Sequence, residues 1–161
     1  MVTGQGVKTM KKLFRLTKQG VGELQVELDS LIAKRAGIAD AIKTARELGD
    51  LAENAEYQSA RAEQDRNETR IGEIEHILQN VELIKSPRSD SKVVLGSHVT
   101  LKNDGKSKEF QVVGTVEADP LNGKISDESP IGQALLGKKL GDAVEIKTPA
   151  DTTVYKIISI A

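Results

Sequence analysis

The stretch Arg46-Glu-Leu-Gly-Asp-Leu-Ala-Glu-Asn-Ala-Glu-Tyr57 decides the fold, because it separates two long segments that carry the same apolar rhythm. Upstream, Val21, Leu24, Leu28, Leu31, Arg35, Ile38, Ile42 and Ala45 recur in alternating steps of three and four, the spacing of a heptad seam. Downstream, Tyr57, Ala60, Gln64, Asn67, Ile71, Ile74, Leu78 and Val81 repeat it. When the first series is folded back on the second, the numbers of every facing pair sum to 102, so the chain is expected to reverse at Leu51. Two runs that share one centre predict an antiparallel helical hairpin. Three of its eight layers are polar or weakly apolar, notably Arg35 with Asn67, and such layers weaken a seam while pinning its register.

The turn residues agree with this reversal. Gly49 suits the left-handed position after a helix, and Asp50 suits the N-cap of the next one, with Glu53 three residues on as in a capping box. A capping role is therefore the plain reading of this carboxylate pair. The alternative is chemical: two acids at the exposed end of a narrow helical arm, within reach of another macromolecule. From Thr17 to Leu48 such an arm would measure roughly 48 Å at the usual helical rise.

Composition narrows the class of protein. The chain has 161 residues, of which 38% are apolar and only 2% aromatic, which argues against one large globular core. It contains no Cys and two His, at positions 76 and 98, so thiolate or zinc sites are not expected. Nothing reads as a signal peptide or membrane span, and a soluble cytoplasmic protein is the expectation. Charge is uneven: residues 1–15 carry four basic and no acidic groups, residues 16–86 carry 9 basic and 14 acidic, and residues 87–161 carry 10 of each. A neutral C-terminal half is a poor clamp for nucleic acid by charge alone.

In chain order, residues 1–15 read as a basic, disordered tail, and residues 16–86 as an antiparallel coiled coil with Thr17 as the first N-cap. The second helix is expected to run from Leu51 to about Ile84. Gly37, in mid-helix beside Arg35, marks a candidate bend. Residues 87–91 read as a linker. From residue 92 to 161 the period changes to two: VVLGSHVTL, EFQVVGTVE, AVEIKT and TVYKIISI read as strands, with an Asn103-Asp104-Gly105 turn between the first two. One short helix is expected between them, with Ser129 as N-cap, Pro130 at its first position and Gly137 at its end, packing Ile131, Ala134 and Leu135 on the sheet. The fold class is thus α+β, a helical hairpin followed by a small sheet-and-helix domain.

Two of these segments carry a family resemblance. ARELGDLAENAEYQSAR, residues 45–61, and ISDESPIGQALLGKKLGDAVEIKTP, residues 125–149, resemble the bacterial GreA/GreB transcript cleavage factors, and the likeness extends over roughly Leu16 to Ile160. It is nearer the GreA than the GreB branch. The resemblance implies a coiled coil followed by an FKBP-like domain, with bacterial RNA polymerase as partner. It implies docking by the C-terminal domain at the mouth of the polymerase secondary channel, and entry of the coiled coil to stimulate the polymerase's own Mg²⁺-dependent cleavage of backtracked RNA. By motif position, Asp50 and Glu53 are the tip acids donated to that catalytic centre and to its Mg²⁺, while Arg46 and Arg61 approach the RNA 3′ end. Where the family often has Lys or Ser after its Gly-Asp-Leu, this chain has Ala52. The short-helix motif makes Ser129, Pro130, Ile131, Gly132, Leu136 and Gly137 the docking candidates.

Such a protein would be a cofactor with no turnover of its own, and a monomer, because the hairpin satisfies its own seam. Without the family match, Arg46 and Arg61 read as helix-surface salt-bridge residues, for example Arg46 with Asp50 at i,i+4. The main rival is a paralogue of the same build that inhibits or competes at the channel without cleavage, and retention of both tip acids argues against it. A coiled-coil chaperone with prolyl isomerase activity would need an aromatic-lined pocket, and Phe110 and Tyr155 are the only aromatic candidates in that half. A self-sufficient nuclease would need more carboxylates converging on the tip.

Overall fold

A computed structural model describes residues 12–50, 54–85, 92–147 and 149–161. The chain divides into two compact units, one containing Val21–Asn80 and the other Phe14–Gly20 with Val81–Ala161.

The first unit is the helical hairpin. Helix α1 spans Lys18–Glu47 and helix α2 spans Ala55–Gln79. The chain reverses between Glu47 and Ala55, an interval that brackets the position the heptad arithmetic predicts, although Leu51 itself lies outside the described residues. At its 30 residues, α1 runs without interruption through Gly37 and is about 45 Å long. The facing layers are those expected. Leu28, Ile71 and Ile74 form one buried cluster, flanked by Leu24, Leu31 and Leu78. Ile38, Ile42 and Ala60 form another, flanked by Tyr57.

The Arg35–Asn67 layer departs from the expectation. Asn67 is buried and its Nδ2 donates to the Leu31 carbonyl at 3.0 Å. Arg35 turns outward instead and forks onto Glu68, with Nε and Nη2 each 2.8 Å from a carboxylate oxygen. A guanidinium in the seam would be stripped of water with only a neutral amide facing it, so the charge moves to the rim and the smaller amide stays inside. Arg70 makes the same fork on Glu27, at 2.7 and 3.1 Å.

Capping also differs from the Asp50–Glu53 box. The N-cap of α2 is Asn54, whose side-chain oxygen accepts from Tyr57 N at 3.1 Å while its Nδ2 donates to Ala45 O at 2.6 Å. One carboxamide therefore satisfies an orphan donor of α2 and a carbonyl in the last turn of α1. A carboxylate could do only the first, which is why Asn rather than Asp holds this position. Gly49 takes a positive φ of 133°.

The second unit begins before the hairpin and resumes after it. Phe14–Leu16 forms strand β1 and Val81–Leu83 forms β2, paired in parallel as Phe14↔Val81 and Leu16↔Leu83. Phe14 and Arg15, expected in a tail, are thus ordered strand, and α2 stops at Gln79 rather than near Ile84. At Asn80 the side chain donates to His76 O at 2.8 Å, closing the helix. The rest of the expected tail, residues 1–11, and the expected linker, residues 87–91, lie outside the described residues.

Thr17 caps α1 as expected, its Oγ1 accepting from Gly20 N at 3.0 Å. Glu117, with its side chain only 4% exposed, accepts from both Thr17 N, at 3.0 Å, and Thr17 Oγ1, and Lys124 Nζ stands 3.9 Å away. Gly20 makes this possible, because a Cβ there would meet the Glu117 carboxyl at 2.5 Å.

The main sheet has the order β5-β4-β3-β7-β6, with β3 His98–Asn103, β4 Lys106–Val113, β5 Lys124–Ser126, β6 Ala143–Lys147 and β7 Thr152–Ile160. Asp104 and Gly105, both at positive φ (46° and 80°), close the β3–β4 turn where it is expected. The expected strand over residues 109–117 ends at Val113. Gly114 then approaches so closely that a Cβ would lie 2.4 Å from Arg15 O. β5 and the single 3₁₀ turn at Pro120–Asn122 have no counterpart in the sequence reading. Helix α3, Pro130–Leu135, is capped by Ser129 as expected. Leu135 is fully buried with Val99, Leu101, Val112 and Ile157, and Ile131 and Ala134 pack on that core.

Three outcomes follow. Asn54→Ala removes a cap and one of two hydrogen bonds to the Ala45 carbonyl, which keeps the one from Leu48 N, so urea melts should show a loss of about 1 kcal/mol, with Asn54→Asp retaining part of it. Gly132→Ala would place a Cβ 1.9 Å from Ser126 O, and the backbone shift it forces should cost about 1–3 kcal/mol in the same assay. The hydrogen bond from Arg70 lowers the pKa of Glu27, and that from Arg35 lowers the pKa of Glu68. A carboxylate with a depressed folded pKa binds fewer protons folded than unfolded, so its contribution is present above the ordinary carboxylate range and lost as pH falls through the folded value. Wild type should thus lose more stability between pH 7 and pH 3 than Glu68→Gln. The difference should be small, because both side chains of the Arg35–Glu68 pair are nearly half exposed.

Candidate functional site

At the hairpin turn, α1 ends at Glu47 and Leu48 is 65% exposed, an apolar residue facing solvent beside an acid. Asp50 is also exposed and, with Leu48, Asn54, Ala55 and Glu56, lines an open concavity of about 420 Å³. Glu53, the second expected tip acid, lies outside the described residues, as do Leu51 and Ala52. The N-cap of α2 is Asn54, four residues after Asp50. Glu56, an acid in the first turn of α2, lines the same concavity as Asp50. Sequence reasoning passed over Asn54 and Glu56; the signal for Asn54 was present, since Asn is as good an N-cap as Asp.

Arg46 and Arg61, on different helices, line one groove together with Ile42 and Gln64. The Arg46 guanidinium lies over the Tyr57 ring, 5.8 Å from its centroid. Arg61 Nη1 donates to Gln64 Oε1 at 2.8 Å. Both arginines are thus oriented by neutral groups, an aromatic face and an amide, which fix the side chain without cancelling its charge. The arginines of the forked pairs, Arg35 and Arg70, are neutralised by carboxylates instead.

In the second unit, the six docking candidates all fall on or beside α3 but differ in what they offer to a partner. Ser129 Oγ accepts from Gly132 N at 3.0 Å and donates to Ser126 O at 2.6 Å, so its hydroxyl is committed to the turn. Ile131 and Leu136 are partly buried on the sheet, and Gly132 is buried. Gly137 takes φ 79° as the chain leaves the helix. Pro130 and Gly137 are the exposed members of the set.

Among the described residues, no group of three or more His, Cys, Asp or Glu side chains is placed to hold a metal ion. No helix among them is long and apolar enough to cross a membrane.

Comparison with known proteins bears on the whole chain. Residues 14–83 match the family model for the N-terminal part of transcription elongation factors, and residues 88–161 match the model for the C-terminal part of the GreA/GreB transcription elongation factors. The chain is 44% identical over 154 residues to the transcription elongation factor GreA of Thermotoga maritima, covering 94% of this chain and 98% of that one. It is 50% identical over 141 residues to the GreA of Acholeplasma laidlawii, covering 86% and 89%. It is also similar to the crystal structure of GreA factor homolog 1 (Gfh1) of Thermus thermophilus, at 29% identity and a TM-score of 0.44, covering 93% of this chain and 99% of that one. Adjacent family models on both units, with relatives of this identity aligned nearly end to end, leave one assignment: the chain belongs to the GreA/GreB family of transcription elongation factors.

Proposed function

We propose that this elongation factor stimulates bacterial RNA polymerase to cleave its own backtracked transcript, working from the polymerase secondary channel and contributing side chains rather than a complete active site. The observation that carries this reading is the transfer of the capping role to Asn54, whose carboxamide engages both helices. Helix α2 is thus capped by Asn54 and not by Asp50, and Asp50 stands exposed at the end of the hairpin.

The donor chemistry suits Mg²⁺, a hard ion that prefers carboxylate oxygens and shares its coordination with water and substrate phosphates. Asp50 and Glu53 supply too few ligands to hold it alone, so they would complete a coordination sphere begun by carboxylates of the polymerase. Bound there, Mg²⁺ supplies a water acidic enough to attack at neutral pH and charge to steady the leaving oxygen. The rest falls to the chain's own groups. Asp50 and Glu53 add negative charge and acceptor oxygens where that water must lose its proton. Arg46, held over Tyr57, and Arg61, held by Gln64, orient RNA phosphates through charge-assisted hydrogen bonds. The α3 region, Ser129 to Gly137, docks on the polymerase. In this role the chain turns over nothing itself, acts as a monomer and works in the cytoplasm.

The test is to halt polymerase in a backtracked complex, add the protein with Mg²⁺, and resolve the RNA. Short 3′ fragments should appear with wild type. Asp50→Asn and Glu53→Gln should each lower the cleavage rate at least about tenfold, as expected when a group that assists proton transfer is lost, with polymerase binding retained. Inhibition without fragments would instead assign the chain to the competing, non-cleaving role, and fragments from naked RNA would show an autonomous nuclease.

A further inference from the structure

The groove that holds Arg46 and Arg61 has a third cation. Lys43 stands one turn before Arg46 on α1 and lines the same groove of about 390 Å³, with Ala39, Ile42, Glu47 and Gln64 completing it. Three positive side chains thus surround a cleft in which, among the described residues, Glu47 is the one acid. Lys43 and Glu47 are four apart on one helix, the spacing of a helix ion pair, yet among the described residues no hydrogen bond or ion pair engages Lys43. Arg46 and Arg61 are held by neutral partners, as described above. The groove therefore keeps a net positive charge of about two beside the apolar carbons of Ala39 and Ile42, a surface fitted to an anionic polymer that also carries flat apolar groups.

We propose that Lys43 is a further RNA-contacting residue, binding a phosphodiester of the same extruded strand that Arg46 and Arg61 engage. This rests on the cleavage reading given above. The two arginines present planar forks suited to bidentate contacts, whereas Lys43 presents a compact charge on a flexible stem, suited to following a phosphate without specifying a base. Its contribution is sequence-independent and salt-sensitive, and it extends the contacted strand along α1, away from the turn.

The experiment compares wild type, Lys43→Gln and Lys43→Arg on halted polymerase complexes with and without backtracked RNA, over a range of salt. Three quantities are read: cleavage rate, polymerase affinity, and photocrosslinking from a probe on the RNA 3′ segment to the protein. Lys43→Gln should lower crosslinking to the groove and cleavage at subsaturating factor about two- to fivefold, the effect of one exposed charged contact. It should also make the logarithmic salt dependence of RNA contact shallower by about 0.7, the value for one phosphate on a single strand. Lys43→Arg should restore both. Affinity for complexes without extruded RNA should not change. Crosslinking and cleavage unchanged in Lys43→Gln would overturn the proposal and leave the cleavage function intact. Equal loss of affinity with and without extruded RNA would also overturn it, because Lys43 would then touch the polymerase. If wild type yields no fragments, the cleavage reading fails, and crosslinking alone decides whether Lys43 contacts the strand.

Discussion

The hairpin depends on a polar contact inside an apolar seam, the hydrogen bond from the buried Asn67 Nδ2 to Leu31 O. Apolar layers of Leu and Ile tolerate sliding, because one leucine fits about as well as another. An amide does not. Slipping α2 by a turn would leave the Asn67 donor buried without its acceptor, at a cost of about 1–3 kcal/mol. The Arg35–Glu68 and Arg70–Glu27 forks, whose α1 members lie four residues to either side of Leu31, prefer the same register, although their exposure limits what each contributes. Register matters here because it places the turn: with the layers fixed, seven residues, 48 to 54, are left to cross between the helices.

Electrostatics divide the hairpin into a part that satisfies itself and a part that does not. Arg35 and Arg70 are spent on carboxylates of the opposite helix. Towards the turn, Arg46 rests on Tyr57, Arg61 on Gln64, and Asn54 rather than an acid closes the helix start. Self-neutralisation thus gives way to charge held in place by neutral groups. Such charge contributes little to folding and is available to a ligand, which is the physical distinction between a surface that stabilises and one that binds.

The second unit shows the converse, residues whose identity is dictated by close approach. Gly20 leaves room for the Glu117 carboxyl at the first turn of α1, Gly114 for the Arg15 carbonyl, and Gly132 for Ser126. In each case a methyl group would collide with backbone or a buried carboxylate. The family motif around α3 therefore combines fold requirements with any role in docking: the Ser129 hydroxyl and the Gly132 backbone are committed to the turn, while Pro130 and Gly137 remain on the surface.

By itself the sequence determined the two helices, their antiparallel pairing, a reversal between Glu47 and Ala55, the β3–β4 turn and the Ser129 cap of α3. These rest on periodicity and on short spacings, which are local in the chain. Tertiary structure alone decided that Asn54 caps α2, that Arg35 leaves the seam, that α2 stops at Gln79 so that Val81–Leu83 can pair with Phe14–Leu16, and that β5 and its preceding turn exist. The reason is common to all four. Asp50 and Asn54 are near-equal caps until the Ala45 carbonyl is brought alongside, and Val81 continues a helix as readily as a strand until Phe14 is there to pair with it. Where two local solutions are close in energy, the contact distant in sequence chooses between them.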